Sequence, residues 1–475
     1  MDYYKTGLKE ECGVFGAFDF DGGDVSSYVY YGLFALQHRG QESAGISITN
    51  TFEDTNNVKY HKGQGLVNEV FDKKILESLN GNLGVGHVRY STAGGLGVEC
   101  AQPFVIHYIK GILSMAHNGN LTNGIELKKE LAMTGAIFQT TTDSEVIAYL
   151  IARERLHTLC IEDAVKSATL KLEGAFSLVV SSPSKLIGAR DRYGFRPLCI
   201  GKKDNTYFLS SESAALDTIG ASFVRDVLPG EIVTIVDGEI RSEFFAKENK
   251  KARCIFEYIY FARTDSVIDG QSVYASRIKA GEILAKKYPV EADIVIGVPE
   301  SGLAAAVGYS MESKLPYCMG FYKNSYVGRT FIKPKQNERT KGVQVKLNAI
   351  REVVGGKRVV MVDDSIVRGT TIKNIVKMLK DAGAVEVHVR VSSPPFKHPC
   401  YFGTDVPSRE NLAAVNNSIE EIKNNINADS LGYLDVDDLH LLCPGLDYCD
   451  SCFTGNYIGK IPSDNSKTGC CSILI

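Results

Sequence analysis

The first half of the chain alternates short runs of apolar, β-branched and aromatic residues with turns that contain glycine or asparagine. Such runs are typical of β-strands, and they predict strands over residues 84–90, 111–117, 176–180 and 231–236. Apolar residues at helical spacing lie between the runs and predict helices over residues 28–36 and 144–155. Strands in runs, with helices in pairs, indicate a layered α+β domain.

The second half has a different pattern, in which predicted strands and helices alternate. Strands are predicted over residues 293–297, 358–362 and 385–391, and helices over 276–287, from about 302, and over 371–382. This βαβ order indicates an α/β domain with a parallel sheet. The charged segment 244–253 separates the two patterns. We therefore predict a leader over 1–11, a first domain over 12–245, a second domain over 246–460 and a tail over 461–475.

Composition places the chain among ordinary globular proteins. Apolar residues make up 44% and charged residues 23%, and the net charge is −3, so neither a nucleic acid nor a membrane is an expected partner. No stretch reaches the ~20 apolar residues that a membrane-spanning helix needs, and the leader lacks the apolar region of a secretory signal. Twelve cysteines without such a signal favour a reducing, cytoplasmic location, where thiols serve metals or catalysis.

One strand–loop–helix segment in the second half has the composition of a sugar-phosphate site. The run VVMVDDSIVRGTT (359–371) predicts a buried strand that ends at Asp363 and Asp364, followed by a loop that opens a helix. Carboxylates accept hydrogen bonds from neighbouring sugar hydroxyls, while loop N–H groups and a helix N-terminus bind phosphate. The candidate loop residues are Ser365, Arg368, Gly369, Thr370 and Thr371. The simpler interpretation is an acidic strand end of an ordinary doubly wound domain.

This run resembles the signature loop of type I phosphoribosyltransferases, which bind phosphoribosyl pyrophosphate (PRPP). A second loop, GVPESG (297–302), follows the preceding strand at the same sheet edge, where a pyrophosphate-binding loop would lie. Ser301 in this loop, with Asp363 and Asp364, could contact Mg²⁺, which commonly uses few protein ligands beside substrate phosphates. Between the loops lies a basic segment, 329–341. We interpret it as a flap whose Lys333 neutralises departing pyrophosphate; without the neighbouring loops it would be a solvated face.

Cys12 raises the question of why a strand should begin with a thiol directly after a charged leader. If residues 1–11 were removed, Cys12 would carry both a thiol and a free α-amine. The α-amine, with a pKa near ~7.7 in model compounds, could accept the thiol proton directly or through water, so that one residue supplies nucleophile and base. The alternative is a cysteine buried at the start of an ordinary strand, since cysteine is among the most buried residue types.

Three further segments carry groups suited to an amino-acid substrate. Arg89 lies on a predicted strand beside a glycine-rich turn and could pair with a carboxylate through two hydrogen bonds. Asn118 and Gly119 end another predicted strand, where the side-chain amide and the glycine N–H could form an oxyanion hole. Asp143 precedes a predicted helix; it could bind a substrate ammonium, or it could be the N-cap of that helix. Together with the Cys12 thiol, these groups describe a glutaminase.

Several short motifs resemble the N-terminal-nucleophile glutaminase domain of class II amidotransferases: CGVFG (12–16), LQHRGQ (36–41), GHVRYST (86–92), HNGN (117–120) and TDSE (142–145). With the PRPP loop attached, essentially residues 12–460 resemble the glutamine PRPP amidotransferase family, in the branch that carries a propeptide and an iron–sulfur cluster. DRYGFRPL (191–198) and SSESA (210–214) are also similar to that family. The resemblance implies a layered αββα glutaminase domain before a type I phosphoribosyltransferase domain. The resemblance also implies that the leader is a propeptide whose cleavage exposes the Cys12 amine.

The remaining cysteines suggest a metal centre near the end of the chain. The segment YCDSC (448–452) contains a C-x-x-C pair, which alone fits a zinc half-site, a redox pair or chance. A tetrathiolate site needs two more ligands; Cys254 and Cys400 are candidates, and Cys443 is a rival. The family resemblance favours a structural [4Fe-4S] cluster on Cys254, Cys400, Cys449 and Cys452, because residue chemistry alone does not separate iron–sulfur from zinc.

The resemblance also implies a reaction, the first step of de novo purine (IMP) synthesis. Glutamine, PRPP and water would give 5-phosphoribosylamine, glutamate and pyrophosphate. Ammonia would pass within the molecule, and Tyr258 and Arg263, in EYIYFART (257–264), are the predicted coupling residues. Purine nucleotides are the implied inhibitors, and a homotetramer is the implied assembly.

Two rival interpretations remain open. One is a nucleobase phosphoribosyltransferase with an inert glutaminase-like domain, which leaves Cys12, Arg89 and Asp143 without purpose. The other is a non-catalytic PRPP sensor that regulates purine genes. A sensor of that kind would need a DNA-binding element, and the sequence has no helix-turn-helix pattern or broadly basic domain.

Overall fold

The computed structural model describes residues 12–53, 57–90, 97–247, 250–324, 347–406 and 408–462. The predicted leader, Lys333 with its basic segment, and residues 463–475 of the predicted tail lie outside these ranges. None of the helices in the described ranges is long and apolar enough to cross a membrane.

The first domain contains two antiparallel sheets. Their strands are β1 (Gly13–Asp19), β2 (Ser43–Thr49), β3 (Val58–Gln64), β4 (Leu83–Arg89), β5 (Phe104–Tyr108), β6 (Gly111–Leu121), β7 (Gly174–Ser182), β8 (Lys185–Arg190), β9 (Cys199–Lys203), β10 (Thr206–Ser210), β11 (Ser222–Asp226), β12 (Glu231–Val236) and β13 (Glu239–Phe244). One sheet has seven strands in the order β11-β9-β10-β1-β4-β2-β3, and the other has six in the order β13-β12-β8-β7-β6-β5.

The two sheets stack face to face, with helices on both outer sides. Strand β1 shows the reason: Val14 and Phe18 pack between the sheets, whereas Phe15 and Ala17 face the helix Ser26–Ala35. Successive side chains of a strand point to opposite faces, so an apolar strand is buried on both sides. The resulting layers are helix, sheet, sheet and helix. The α-helices of this domain are Ser26–Ala35, Val67–Val70, Lys73–Ser78, Gly124–Met133, Asp143–Arg155, Ile161–Thr169 and Ser213–Thr218.

The second domain is built on a parallel sheet. Its strands, with the short ones, are β14 (Arg253–Cys254), β15 (Val267–Ile268), β16 (Gln271–Ser272), β17 (Ile294–Gly297), β18 (Phe321–Lys323), β19 (Leu347–Ala349), β20 (Arg358–Asp363), β21 (Glu386–Val391), β22 (Ser430–Tyr433) and β23 (Tyr448–Cys449). The four-stranded sheet has the order β17-β20-β21-β22. The α-helices are Val273–Lys287, Gly302–Ser313, Arg351–Val354, Thr370–Asp381, Ala413–Asn416, Ile419–Ile426, Leu439–Leu442 and Ser451–Thr454, and a π-helical turn covers Glu257–Phe261.

Parallel pairing brings the two predicted PRPP loops to one edge of this sheet. Gly297 of β17 lies beside Val362 of β20, so the chain leaves both strands at the same edge. A Cβ on Gly302 would lie only 2.6 Å from the carbonyl oxygen of Val362. The two loops are therefore in close contact, as the carboxyl ends of neighbouring parallel strands require.

The predicted fold class, an α+β glutaminase-type domain followed by an α/β phosphoribosyltransferase-type domain, is confirmed. One predicted strand end is wrong, because strand 111–117 continues to Leu121 through pairing of Asn118 with Ser177 and of Gly119 with Phe176. The helix predicted over 276–287 begins at Val273, since the hydroxyl of Ser272 accepts the N–H of Ala275 at 3.2 Å. The predicted domain limits stay a prediction.

Candidate functional site

Cys12 lies directly before β1, and β1 pairs with β4 on one side and with β10 on the other. Its thiol donates to the carbonyl oxygen of Tyr90, with an Sγ–O distance of 3.4 Å. Burial raises the pKa of the Cys12 thiol to about 11, and the charges of Arg89, Glu42 and Asp143 also act on it. A thiol with this pKa is protonated near neutral pH, so Cys12 needs a nearby base before it can act as a nucleophile.

Arg89 and Asp143 lie close enough to Cys12 to act electrostatically on its thiol. Arg89 ends β4, is 4% exposed, and its Nη1 lies 3.9 Å from a carboxylate oxygen of Glu42. The carboxylate of Asp143 accepts the backbone N–H of Leu121 at 2.8 Å. Asp143 is the first residue of its helix, and the N-cap is Thr142. The carboxylate of Asp143 is therefore not used as the cap, which was the alternative for this residue.

Asn118 and Gly119 lie side by side within β6. The Asn118 side chain is buried, and its Nδ2 has no hydrogen-bond partner among the described residues. Gly119 has a φ of +148°, and a Cβ there would lie 2.1 Å from the carbonyl oxygen of Ala175, so only glycine fits. A buried amide without an acceptor is unfavourable in a folded protein. Its Nδ2 is therefore available to a substrate oxygen.

Buried polar side chains behind β6 were not singled out from the sequence. Gln102 accepts the N–H of His117 at 2.7 Å, and His87 lies 3.1 Å from the carbonyl oxygen of His117. Ser144 lies 3.0 Å from Nδ1 of His117. Burial lowers the pKa of His87 to about 3, so this histidine is neutral. These contacts hold the strand that presents Asn118; the sequence showed His87, His117 and Ser144 only as parts of the motifs GHVRYST, HNGN and TDSE, without a role for any of them.

A buried arginine also contacts the nucleophile residue. Nε of Arg39 donates to the carbonyl oxygen of Cys12 at 3.1 Å. Its guanidinium pairs with Glu212 at 2.6 Å and with Glu257 at 2.7 Å. The sequence showed Arg39 and Glu212 only as parts of LQHRGQ and SSESA, without a role for either, and did not single out Glu257.

In the second domain, Asp363 ends β20 and Asp364 begins the loop before the helix Thr370–Asp381. Ser301 donates to one carboxylate oxygen of Asp364, and Ser365 donates to the other at 2.5 Å. Burial and the neighbouring charge of Asp364 raise the pKa of Asp363, and burial raises the pKa of Asp364 as well. The site is therefore short of positive charge, which a cation would supply.

The loop that follows has the geometry of an anion site. Gly369 has a φ of +82°, which turns the chain directly before the N-terminus of the helix that begins at Thr370. Nε of Arg368 is buried and has no hydrogen-bond partner among the described residues. Ser365 and Thr371 lie on either side of this turn. The structure thus brings the predicted PRPP residues of 363–371 and Ser301 together, while Lys333 lies outside the described residues.

The two predicted coupling residues, Tyr258 and Arg263, lie in and directly after the π-helical turn Glu257–Phe261. Tyr258 is 1% exposed, and its hydroxyl donates to the carbonyl oxygen of Ile268 at 3.1 Å. The backbone N–H of Arg263 donates to Glu212 at 2.9 Å, while its guanidinium pairs with Asp265 at 2.6 Å. Burial raises the pKa of Tyr258. In this structure both residues hold the turn that joins the domains.

Four predicted cluster ligands converge at the domain junction. Cys254 of β14 pairs in register with Cys449 of β23, and Cys400 packs in the same apolar group as Cys449. Burial raises the pKa of Cys452, and the neighbouring thiols of Cys400, Cys254 and Cys449 raise it further. Cys443, the rival ligand, instead lies with its Sγ 4.0 Å from the hydroxyl of Ser276.

Across the described ranges, no three His, Cys, Asp or Glu side chains form a group that could hold one metal ion. The four thiols stay candidate ligands, and the kind of metal centre that they would hold stays a prediction.

Known protein families match a segment in each half of the chain. A glutamine amidotransferase domain model matches residues 87–218, and a phosphoribosyl transferase domain model matches residues 269–398. The chain is 48% identical over 461 residues to the amidophosphoribosyltransferase of Methanocaldococcus jannaschii, covering 94% of this chain and 97% of that one. It is 47% identical over 466 residues to the amidophosphoribosyltransferase of Bacillus subtilis, covering 96% of each.

Two solved structures share the whole architecture. One is described as the allosteric regulatory enzyme of purine biosynthesis, with a TM-score of 0.89, 45% identity, and coverage of 96% of this chain and 98% of that one. The other is the glutamine PRPP amidotransferase of B. subtilis complexed with ADP and GMP, with a TM-score of 0.88, 45% identity, and coverage of 95% and 98%. Since its relatives are this similar over nearly the full length, the chain belongs to the amidophosphoribosyltransferase family.

Proposed function

We propose that the two domains of this chain catalyse one coupled reaction. Glutamine is hydrolysed to glutamate at Cys12, and the ammonia displaces pyrophosphate from C1 of PRPP, with inversion, to give 5-phosphoribosylamine. The observation that carries the proposal is the presence of two complementary sites in one chain: Cys12 lies beside Arg89 and Asp143 in the first domain, and Asp363 and Asp364 lie at the sheet edge of the second. A glutaminase alone would not need the second site.

The first half-reaction uses Cys12 after removal of the leader. The freed α-amine, with a pKa near ~7.7, accepts the thiol proton, and the thiolate attacks the amide carbon of glutamine. Nδ2 of Asn118 and the N–H of Gly119 donate to the oxyanion that forms. The C–N bond then breaks, the α-ammonium returns its proton, and ammonia leaves a thioester on Cys12. Water hydrolyses the thioester and releases glutamate.

Arg89 and Asp143 hold the glutamine substrate in this scheme. The guanidinium of Arg89 pairs with the α-carboxylate through two hydrogen bonds, and the carboxylate of Asp143 binds the α-ammonium. Their support is electrostatic: both side chains are close enough to change the pKa of the Cys12 thiol. A substrate amino group held by Asp143 and a carboxylate held by Arg89 place the side-chain amide toward Cys12.

The second half-reaction takes place at the loops of the parallel sheet. Asp363 and Asp364 accept hydrogen bonds from the ribose hydroxyls, and the loop N–H groups with the helix N-terminus bind the 5′-phosphate. The oxygen donors of Ser301, Asp363 and Asp364 fit Mg²⁺, which prefers oxygen ligands. When bound, Mg²⁺ neutralises charge on the departing pyrophosphate. Lys333 is proposed to assist that departure.

We also place the chain in the branch with a propeptide and a [4Fe-4S] cluster, held by Cys254, Cys400, Cys449 and Cys452. The donor set fits the cluster because four buried or partly buried thiols lie near one another, and thiolates are the usual ligands of iron–sulfur centres. The cluster would fasten the segment around β23 to the domain junction at β14, where Cys254 pairs in register with Cys449.

The remaining parts of the proposal concern regulation and assembly. The B. subtilis relative has been solved in complex with ADP and GMP. We therefore propose that purine nucleotides bind and inhibit this chain. A homotetramer and a cytoplasmic location are proposed from the family resemblance and the cysteine content.

The test follows glutamate and pyrophosphate together in anaerobically purified protein with Mg²⁺ and glutamine, with and without PRPP. We expect glutamate to appear strongly only with PRPP, matched one to one by pyrophosphate. Pyrophosphate formed only from added ammonia would indicate an inactive glutaminase, most simply an unprocessed Cys12. The absence of both products, from protein whose leader is removed and whose cluster is present, would contradict the proposal and favour the PRPP sensor.

A further inference from the structure

A buried carboxylate of the second domain is linked to two parts of the proposed glutaminase site, the Cys12 backbone and the strand that carries the oxyanion residues. Glu257 is 1% exposed and begins the π-helical turn Glu257–Phe261. Its two oxygens accept hydrogen bonds from Nη2 and Nη1 of Arg39 at 2.7 and 2.9 Å. Nη1 of Arg196 lies 3.7 Å from Glu257 Oε1. One carboxylate therefore faces two buried guanidinium groups of the first domain.

The first guanidinium leads to the nucleophile. Arg39 donates through Nε to the carbonyl oxygen of Cys12 at 3.1 Å, and its side chain is fully buried. A planar guanidinium that uses Nε on one side and both Nη atoms on the other cannot rotate without breaking one set of bonds. Glu257, together with Glu212, which accepts from Nη1 of Arg39 at 2.6 Å, therefore determines where the backbone of Cys12, with its thiol and α-amine, is held.

The second guanidinium leads to the oxyanion strand. Nε of Arg196 donates to the carbonyl oxygen of Phe402 at 3.0 Å. The next residue, Gly403, is so close to β6 that a Cβ on it would lie 3.3 Å from the carbonyl carbon of Gly119. Nδ2 of Asn120 donates to the carbonyl oxygen of Tyr401 at 2.9 Å. The segment 401–403 is thus held between Arg196 and the strand that carries Gly119.

We propose that Glu257 is a positioning residue of the glutaminase half-reaction, which holds Cys12 and the oxyanion strand in register through Arg39 and Arg196. The inference rests on the proposed function, and it makes the geometry of the first site depend on a side chain of the second domain. Glu257 is ionised in this place: burial alone would raise the pKa of its carboxyl, but the charges of Arg39 and Arg196 lower it.

The test is Glu257→Gln, which preserves size but turns one acceptor into an NH₂ donor that faces the donors of Arg39. Displacements of about 1 Å in a catalytic group lower rates by roughly 100-fold. We expect kcat with glutamine to fall by about that factor. The KM for glutamine should stay unchanged because Arg89 and Asp143 are untouched. The rate with ammonia in place of glutamine should stay within about twofold, since the PRPP loops are not altered.

Asp269→Asn is the matched control. Asp269 is an equally buried carboxylate of the same domain, and it pairs with Arg190 at 2.8 Å and with Arg253 at 2.8 Å rather than with Arg39 or Arg196. We expect Asp269→Asn to lower the Tm about as much as Glu257→Gln does. It should not change the ratio of glutamine-dependent to ammonia-dependent activity. Equal loss of both activities in Glu257→Gln, or the same selective loss in Asp269→Asn, would overturn the proposal.

Two further variants make the outcome decisive. If Glu257→Gln does not fold, Arg196→Lys replaces it, with the same selective loss expected and an unchanged ratio counting against the proposal. Cys12→Ala separates this inference from the function on which it rests. Glutamine-dependent turnover that survives in Cys12→Ala would refute the proposed function. Its loss in Cys12→Ala together with full activity in Glu257→Gln would refute only the role of Glu257.

Discussion

Single residues of this protein are buried with a polar group that lacks a hydrogen-bond partner or with a charge that burial disfavours. The amide of Asn118 has no acceptor among the described residues, and the carboxyls of Asp363 and Asp364 have raised pKa values because burial disfavours their charge. Such arrangements are unfavourable for folding alone. They are typical of sites whose missing partners are supplied by a substrate or a cation.

Asn118→Ala tests the oxyanion role. Loss of one oxyanion donor lowers kcat by about 100- to 1,000-fold in enzymes of this chemistry, and we expect that loss with glutamine but not with ammonia. Steady-state rates with both nitrogen donors measure it. Asn123→Ala is the control, because its amide donates to the carbonyl oxygen of Lys171 at the surface. Equal activity of the two variants with glutamine would contradict the role of Asn118.

Asp226 gives a prediction for the pH dependence of stability. Burial raises the pKa of its carboxyl from 3.8 to about 6, and the neighbouring charge of Asp269 contributes to the rise. A raised carboxyl pKa means that the folded state binds the proton more tightly than the unfolded state. Stability is therefore highest below the unfolded pKa and is lost as the pH rises through the folded value.

Asp226→Asn removes the carboxylate whose ionisation in this buried place lowers the stability of the folded state. We expect the variant to be more stable than the parent chain near neutral pH, by on the order of 1 kcal/mol, and to lose the advantage at about pH 4. Denaturant unfolding of both proteins at the two pH values measures the difference. A variant that is less stable than the parent chain at neutral pH would show that the carboxylate of Asp226 contributes favourable contacts instead.

At the scale of elements, strand β6 packs against the helix layer of the first domain, carries the proposed oxyanion residues and contacts the second domain. Its continuation past His117 depends on Gly119, whose backbone approaches Ala175 so closely that a side chain has no room. The same stretch contacts segment 401–403 through Asn120. A change at this one glycine therefore acts on both the sheet and the domain contact.

Gly119→Ala should separate crowding from backbone conformation. The added Cβ would lie 2.1 Å from the carbonyl oxygen of Ala175, so β6 and β7 must move apart, and we expect a loss of roughly 2–4 kcal/mol of stability with loss of glutamine-dependent activity. Gly238→Ala is the control, because Gly238 has a φ of +71° but no atom within 4 Å of the added Cβ. It should lose only about 1–2 kcal/mol, measured by denaturant unfolding. Similar losses in both variants would contradict the crowding argument.

At the scale of the whole molecule, the contacts between domains are buried polar groups as well as apolar packing. Arg190 pairs with Asp269, Arg39 with Glu257, and Arg196 donates to Phe402 across the same boundary. The thiols of Cys254, Cys400, Cys449 and Cys452 lie near one another at this boundary, where β23 pairs with β14. The C-terminal segment is therefore part of the domain junction.

Cys452→Ser tests the proposed cluster without reliance on activity. We expect iron and sulfide content to fall to background, and limited proteolysis to cut more readily within residues 443–462, because the segment would lose its attachment. Cys443→Ser is the control and also tests the rival ligand, since Sγ of Cys443 lies 4.0 Å from the hydroxyl of Ser276. Loss of iron in Cys443→Ser with retention in Cys452→Ser would reverse the assignment of ligands.

The sequence by itself determined the two fold classes and the candidate groups of each site. Alternating and continuous apolar runs carry the strand pattern of each domain, because side-chain direction repeats every two residues in a strand. Short motifs such as HNGN and VVMVDDSIVRGTT identify groups that lie within one strand or one loop. Local spacing sufficed within each motif, because Asn118 with Gly119 and Asp363 with Asp364 are neighbours along the chain. The grouping of Cys12, Arg89 and Asp143 into one site rested on their complementary chemistry and on the family resemblance.

Only the tertiary structure decided how the two sites are connected. Arg39 meets Glu212 across 173 residues and Glu257 across 218 residues of chain, and contacts of that separation leave no periodic pattern in the sequence. The end of β6 was likewise decided by pairing with β7 rather than by local propensity, because glycine and asparagine ordinarily favour turns. Hydrogen bonds and burial between distant segments determine these features, and they exist only once the two domains have packed together.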